Sequence, residues 1–343
     1  MSGNKKKSSD IVAVAKAAKV SPSTVSRAFN HPDLVNPATR KRINRAVEKL
    51  GYIRNRAAQA IHGRRNATIG LIVPTINHAI FAEVIQSFSD AIDRAGFTLL
   101  IASHGYELER EYDTIRKLME HRVDGIALVG LEHSEASFRL LARQETPCIA
   151  IWNYSADAPM SCVGPDNREA GRMAARHLLE LGHRDIGLVF PRVEGNDRAR
   201  QRLEGAMEEI QARGVPVRDE WRMESPYSTT LAKQAVHDLL ESGARPTALL
   251  CGNDVIAHGA IYGVQSIGLD VPGDMSVMGI GDFNGSHDME PGLSTVRIPA
   301  EDIGKIAGER LTALIAAEAQ EIFRYCCELE CIARGTTRNL RQA

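Results

Sequence analysis

Apolar residues recur with a helical period three times within the first fifty positions. Ile11, Val14, Ala15 and Ala18 share one face of a helix that Asp10 is suited to cap. Ser21 caps a second helix, PSTVSRAFN. It opens on Pro22, which is tolerated at the first helical position because its missing N–H would have no partner there. Asn36 and Pro37 open a third, ATRKRINRAVEKL, with Ile43, Ala46, Val47 and Leu50 inward and Gly51 suited to a left-handed C-terminus. Residues 54–66 (RNRAAQAIHGRRN) break this pattern. They offer too little apolar area for an independently stable helix and read as a linker that folds conditionally.

From Thr68 onward the texture changes. Short apolar or β-branched runs (TIGLIVP, FTLLIAS, DGIALVG, CIAIW) alternate with amphipathic helical periods, and a second such series runs through DIGLVF, ALLCGND and MSVMGIG. Strand and helix in alternation imply parallel α/β organisation, here in two lobes. The tail adds a helix, EDIGKIAGERLTALIAAEA, and a strand-like stretch, FRYCCELECIARG. Ligands of open α/β sheets bind beyond the carboxyl ends of strands, so the residues after VP, IW, VF, GND and GIG are the candidates.

Composition changes the picture only through its asymmetry. The 343 residues carry a net charge of −1, but residues 1–66 hold +12 and the remainder −13. A basic head on an acidic body points to the head alone meeting a polyanion such as nucleic acid. The start, MSGNKKKSSD, is followed by no apolar stretch of the secretory kind, and no run of about 18 apolar residues occurs, so a cytoplasmic chain without membrane contact is expected. The six cysteines form no CxxC pairs with histidine partners and read as reduced core residues; neither metal nor other cofactor is expected. No HExxH, GxSxG or GxxxxGK[ST] appears, the 11 histidines are dispersed, and GIGDFNG falls short of a dinucleotide fingerprint, so catalysis is not expected.

The spacing of VAVAKAAKVSPSTVSRAFN matches a helix-turn-helix, whose second helix presents its N-terminal side chains to the major groove. Pro22, Ser23 and Arg27 then face base edges, Arg27 with two donors for guanine O6 and N7. Ser21, Thr24, Ser26, Asn30 and Thr39 are placed for phosphates. This stretch, with TRKRI and LGYIRNRAAQAI after it, resembles the lactose-repressor (LacI/GalR) family of bacterial regulators over essentially the whole chain. The resemblance implies that Tyr52 and Asn55 position the domain on the DNA backbone and that RNRAAQA folds as a hinge helix only on operator. Ile61 falls where the family has an apolar minor-groove wedge, with ordinary linker packing as its alternative.

The implied fold is an α-helical helix-turn-helix domain (1–53) and hinge (54–66), followed by a two-lobed α/β sensor like a periplasmic binding protein. Its lobes take residues 67–165 with 297–322, and 166–296 with 323–343, the chain crossing near 165, 297 and 323. The resemblance implies an effector in the cleft. Asn77 and Phe81 follow the first strand; Trp152 either stacks on a sugar or is core. Arg202 in RQRLEG aligns with an effector-binding basic residue or is a surface helix arginine. Asn253 is a ligand contact, with Asp254 beside it as a loop cap. In MGIGDFNG, Gly281 stands where the family has a hydroxyl-gripping aspartate, leaving Asp282 one position later.

FAEV, SHGYELE, VGPDN and MEPGLSTV resemble the gluconate-repressor branch, which makes a sugar acid the expected effector. Release of the operator and strengthening of its binding both remain open as its action. Because each head reads few base pairs, a homodimer on palindromic double-stranded operator DNA is expected. ARGTTRNLRQA shows no heptad extension of the tetramerising kind. A solute-binding-like protein without a regulatory role is the alternative, discriminated by the basic head.

Overall fold

The computed structural model describes residues 10–53, 65–77, 81–316 and 321–342. Asn55 and Ile61 lie outside the described residues. The chain divides into two compact units, with the boundary between Asn66 and Ala67.

In the first unit α1 (Ile11–Ala18), α2 (Pro22–Asn30) and α3 (Pro37–Leu50) start where their caps stand. Asp10 accepts from the Ala13 N–H, Ser21 from Thr24 and Asn36 from Ala38, so each helix satisfies a backbone donor that its first turn would otherwise leave unpaired. Gly51 ends α3 at φ 57°, a conformation glycine adopts without steric cost. Val14, Ala15, Ala18, Val25, Ala28, Val35, Ile43 and Ala46 form the core. Leu50 departs from expectation: it is exposed, because the helix turns its last residue past the small core.

The second unit holds two six-stranded sheets among the described residues. The first comprises β1 (Thr68–Val73), β2 (Thr98–Ser103), β3 (Gly125–Val129), β4 (Cys148–Ile151), β5 (Ser161–Pro165) and β11 (Arg324–Cys327), ordered β11-β5-β4-β3-β1-β2 with every pairing parallel. The second comprises β6 (Ile186–Phe190), β7 (Arg222–Glu224), β8 (Ala248–Cys251), β9 (Ser276–Gly281), β10 (Ser294–Arg297) and β12 (Glu330–Ile332), ordered β12-β10-β9-β8-β6-β7. Only β12 runs antiparallel there. Nearly continuous apolar strands such as β3 and β6 are fully buried, as parallel sheets covered on both faces require.

Helices flank both sheets. In the first lobe these are α4 (Ala82–Arg94), α5 (Leu108–Glu120), α6 (Glu135–Arg143) and α11 (Ala300–Ala316); in the second, α7 (Asn167–Glu180), α8 (Asp197–Ala212), α9 (Thr229–Glu241) and α10 (Asp254–Gln265). The C-terminal stretch, expected to begin the return to the second lobe at 323, first pairs with the first sheet. Cys326 lies opposite Gly164, and only after Cys327 does the chain cross to set Cys331 opposite Val296. The reason is that β5 would otherwise expose an unpaired edge, and β11 covers it. Strand β7, three residues of polar sequence, has no periodicity by which to be foreseen.

Candidate functional site

On the head, α2 buries Val25 and Ala28 and turns Pro22, Ser23 and Arg27 outward. Ser21 Oγ lies 2.7 Å from the Ser23 hydroxyl and 2.8 Å from that of Thr24, so the polar entrance of the helix is bonded within itself. Asn30 donates to Ser26 at 3.2 Å and Arg42 donates to Thr39 at 3.3 Å. The Tyr52 ring packs on Phe29 with centroids 6.2 Å apart, anchoring the turn after α3 to α2. Lys16, Lys19, Arg27, Arg40, Lys41, Arg42, Arg45 and Lys49 are all exposed. No salt bridge neutralises them among the described residues, so their positive field is open to phosphates.

In the sensor, an open cleft of about 870 Å³ is lined from the first lobe by Thr75 and Tyr106 and from the second by Pro191, Asn196, Tyr227 and Ser228. That size suits a small ligand, for which clefts of roughly 300–1,000 Å³ are usual. Tyr106 and Tyr227 come from opposite lobes, their centroids 5.8 Å apart, and Asn196 donates to the Tyr227 hydroxyl at 2.9 Å. Neither tyrosine was expected. Both follow edge strands, β2 and β7; the carboxyl-end rule applied to β2 points to Tyr106, whereas β7 carries no sequence signal that would have led to Tyr227. Tyr106 is held at φ 63° and Trp152 at φ 71°, left-handed conformations that bulky residues keep only when the surroundings impose them. The mouth carries Glu107, Glu194 and Glu224 against Arg192. Glu107 and Glu194 are well exposed, where water and salt screen their charge.

Arg202 and Asn253 do not line this cleft; they belong to a chain of buried polar groups near its two tyrosines. Arg202, 4% exposed, donates from Nε to Asn167 Oδ1 at 2.7 Å and from Nη1 to the Gly252 carbonyl at 3.1 Å. Both acceptors are neutral, and among the described residues no carboxylate pairs with this guanidinium. Burial pulls its pKa down to about 10, and the neighbouring Arg198 charge works in the same direction while the Asp254 carboxylate opposes it. Asn167 in turn donates to the Trp152 carbonyl and to Asn153 Oδ1. Asn253 is fully buried; its Oδ1 caps α10 by accepting from Ile256, while Nδ2 has no partner among the described residues.

The other expected contacts are placed differently. Phe81 and Trp152 meet edge to face, centroids 5.8 Å apart, and both are 2% exposed, so the Trp152 ring is core here rather than a platform open to the cleft. Asn77 is exposed, its N–H donating to Thr75 Oγ1. Asp282 is taken up by two arginines. Arg297 Nε lies 2.8 Å from one of its oxygens and Arg334 Nη1 2.7 Å from the other, and although burial opposes them these cations hold the carboxyl below its ordinary value. The absence of a side chain at 281 also has a physical reason: a Cβ there would collide with the Phe283 ring. Asp254 accepts from Thr295, Ser286 and the Phe283 N–H, tying down the loop after β9.

Residues 10–55 match the family of bacterial regulatory proteins of the lacI type, and residues 175–337 match a periplasmic binding protein-like domain. The chain is 31% identical over 329 residues to the HTH-type transcriptional repressor PurR of Aliivibrio fischeri (strain MJ11), covering 95% of this chain and 97% of that one. Among solved structures, the lac repressor dimer bound to operator and the anti-inducer ONPF superposes with a TM-score of 0.85 at 25% identity, covering 97% of this chain and all of that one. The transcription regulator GntR from Chromobacterium violaceum superposes at 0.74 with 27% identity, covering 79% and 99%.

Proposed function

The chain belongs to the LacI family of bacterial regulatory proteins, a DNA-binding transcriptional regulator with a ligand-binding sensor, and we propose that its effector is a sugar acid of the gluconate class. The observation that carries this reading is Arg202. Its guanidinium is buried on two neutral acceptors, with Asp254 acting on it only through space and not as a bonded partner, so a ligand carboxylate would supply a direct counter-charge. The orphaned Asn253 Nδ2, next along the chain from the carbonyl that Arg202 binds, offers a second donor. Gly281 offers no carboxylate where the resemblance leads one to expect an aspartate, and Asp282 is engaged by arginines, so two acceptors of a neutral hexose clamp are lacking.

The head reads operator as part of a homodimer, two α2 helices on a two-fold site, a reading supported by the similar lac repressor, which is a dimer in its structure bound to operator. Asn55 and Ile61 complete the DNA contacts in this reading, on the hinge between the units.

Isothermal calorimetry with D-gluconate and with D-glucose tests the effector class. Heat with the acid and none with the sugar is expected. The Arg202→Ala variant should lose about 2–5 kcal/mol of the acid's binding energy. Absence of heat with any sugar acid, or equal binding of the neutral sugar, would sink the proposal.

A further inference from the structure

The N-terminus of α8 belongs to the second lobe, yet one carboxylate oxygen of its first side chain is bonded to the first, while the other stays with the neighbouring Arg198. Asp197, 3% exposed, accepts at Oδ2 from the Leu131 N–H just beyond β3 and from Asn153 Nδ2 just beyond β4, both at 2.7 Å. Its other oxygen receives Arg198 Nη1 at 2.7 Å, and the same guanidinium nitrogen donates to the Val129 carbonyl at 3.2 Å. Burial alone would raise the carboxyl's pKa. The Arg198 charge and the bonds from Leu131 and Asn153 outweigh that and hold it below its ordinary value, so the group is ionised. Farther out, Arg200 meets Glu132 of the first lobe at 2.9 Å.

The first lobe is shaped to receive this group. Gly130 sits at φ 92° between Val129 and Leu131, and a Cβ there would strike the Arg198 guanidinium and lie 2.7 Å from Asp197 Oδ1. Beneath the loop, His133 bridges the Gly130 carbonyl and Glu111, 3.1 and 2.8 Å away. The contact also communicates with the effector arginine: Asn153, which donates to Asp197, accepts from Asn167, whose own oxygen accepts from Arg202. Three consecutive buried hydrogen bonds therefore join the Asp197 carboxylate to the Arg202 guanidinium through side chains of both lobes.

We propose that Asp197 is a positioning residue that latches the two lobes together and transmits occupancy at Arg202 to the closure of the sensor. A ligand anion arriving at Arg202 changes the pull on Asn167 and, through Asn153, the strength of the latch. Removing the carboxylate opens the lobes and shifts the equilibrium on which operator affinity depends. The coupling to operator rests on the proposed regulatory function; the latch itself does not.

The test uses the full-length protein. Amide hydrogen exchange of Asp197→Ala should quicken together in residues 129–134 of one lobe and 194–200 of the other, with the cores of both sheets still protected. Operator affinity without added ligand, by fluorescence anisotropy, should change by about fivefold or more, the lower end of usual coupling. Asn153→Ala removes one donor and leaves the Asp197–Arg198 pair, and it should show both effects at smaller amplitude, so an Asp197→Ala chain that fails to fold does not end the test. Unchanged exchange in either loop overturns the latch. Quickened exchange with operator affinity unchanged within about twofold overturns the coupling and leaves Asp197 a structural bond.

Discussion

Helices α7 and α8 cross through a reciprocal pair of glycines, which makes Gly171→Ala a sharp test of how Arg202 is placed. A methyl at 171 would lie 2.8 Å from the Arg202 carbonyl carbon and closer still to its oxygen, and one at 205 would meet the Arg168 carbonyl in the same way. Ordinary carbon contacts fall near 3.5–4.0 Å, so the helices must part by roughly 1 Å. Because the obstacle is backbone, no rotamer change relieves it. Overpacking of this kind costs about 1–3 kcal/mol, here at the upper end, against which alanine regains about 1 kcal/mol of helix propensity. A net loss of about 2 kcal/mol corresponds, for a domain of this size, to a fall in Tm of roughly 4–8 °C.

Differential scanning calorimetry of the full-length protein reads this directly. The double variant Gly171→Ala/Gly205→Ala should cost less than the sum of the two single changes, since helices already parted for one methyl accommodate the second. A Tm within about 1 °C of the parent for Gly171→Ala, or strict additivity of the pair, would refute the glycine crossing.

Other outcomes follow from the same geometry. Ser21→Ala removes the cap of α2 and should lower the stability of the head by about 1 kcal/mol, measured by urea unfolding. Arg27→Ala should weaken operator binding by about 1–3 kcal/mol and relax the preference at one base position, whereas Lys49→Ala should at most lower the salt slope by about one; an equal loss on all sequences for Arg27→Ala would mean phosphate rather than base contact. His183 is buried between Thr247 and the Arg338 carbonyl, and burial pushes its pKa down to about 4 from 6.5. The unfolded chain then takes up the proton first as pH falls, so this contribution to stability is complete above about pH 6.5 and is lost progressively toward pH 4. His183→Gln should flatten that part of the Tm profile, and an undiminished slope would assign it to His104, His177 and His258 instead, whose pKa values burial also lowers.

The head was legible in the sequence nearly residue by residue. Its signals are local: Asp10, Ser21 and Asn36 cap within three residues of themselves, Gly51 ends α3 through its own φ, and Val14, Val25 and Ile43 recur at helical spacing on a core made by near neighbours in the chain. The two α/β lobes were legible for the same reason, because strand and helix periods are written in consecutive residues. What lies between distant segments was decided by the tertiary structure. Whether Trp152 is a platform or core depends on Phe81, 71 positions away, and whether Asp282 is available depends on Arg297 and Arg334. The return of β11 to the first sheet before β12 joins the second is a matter of which edge was left unpaired. Arg202 aligned with a ligand-binding position by resemblance, but its lack of a carboxylate partner, and its connection to Asp197 through two asparagines, follow only from the folded chain. A charge's cost depends on what surrounds it in space, and that surrounding is assembled from segments that carry no mark of one another in the sequence.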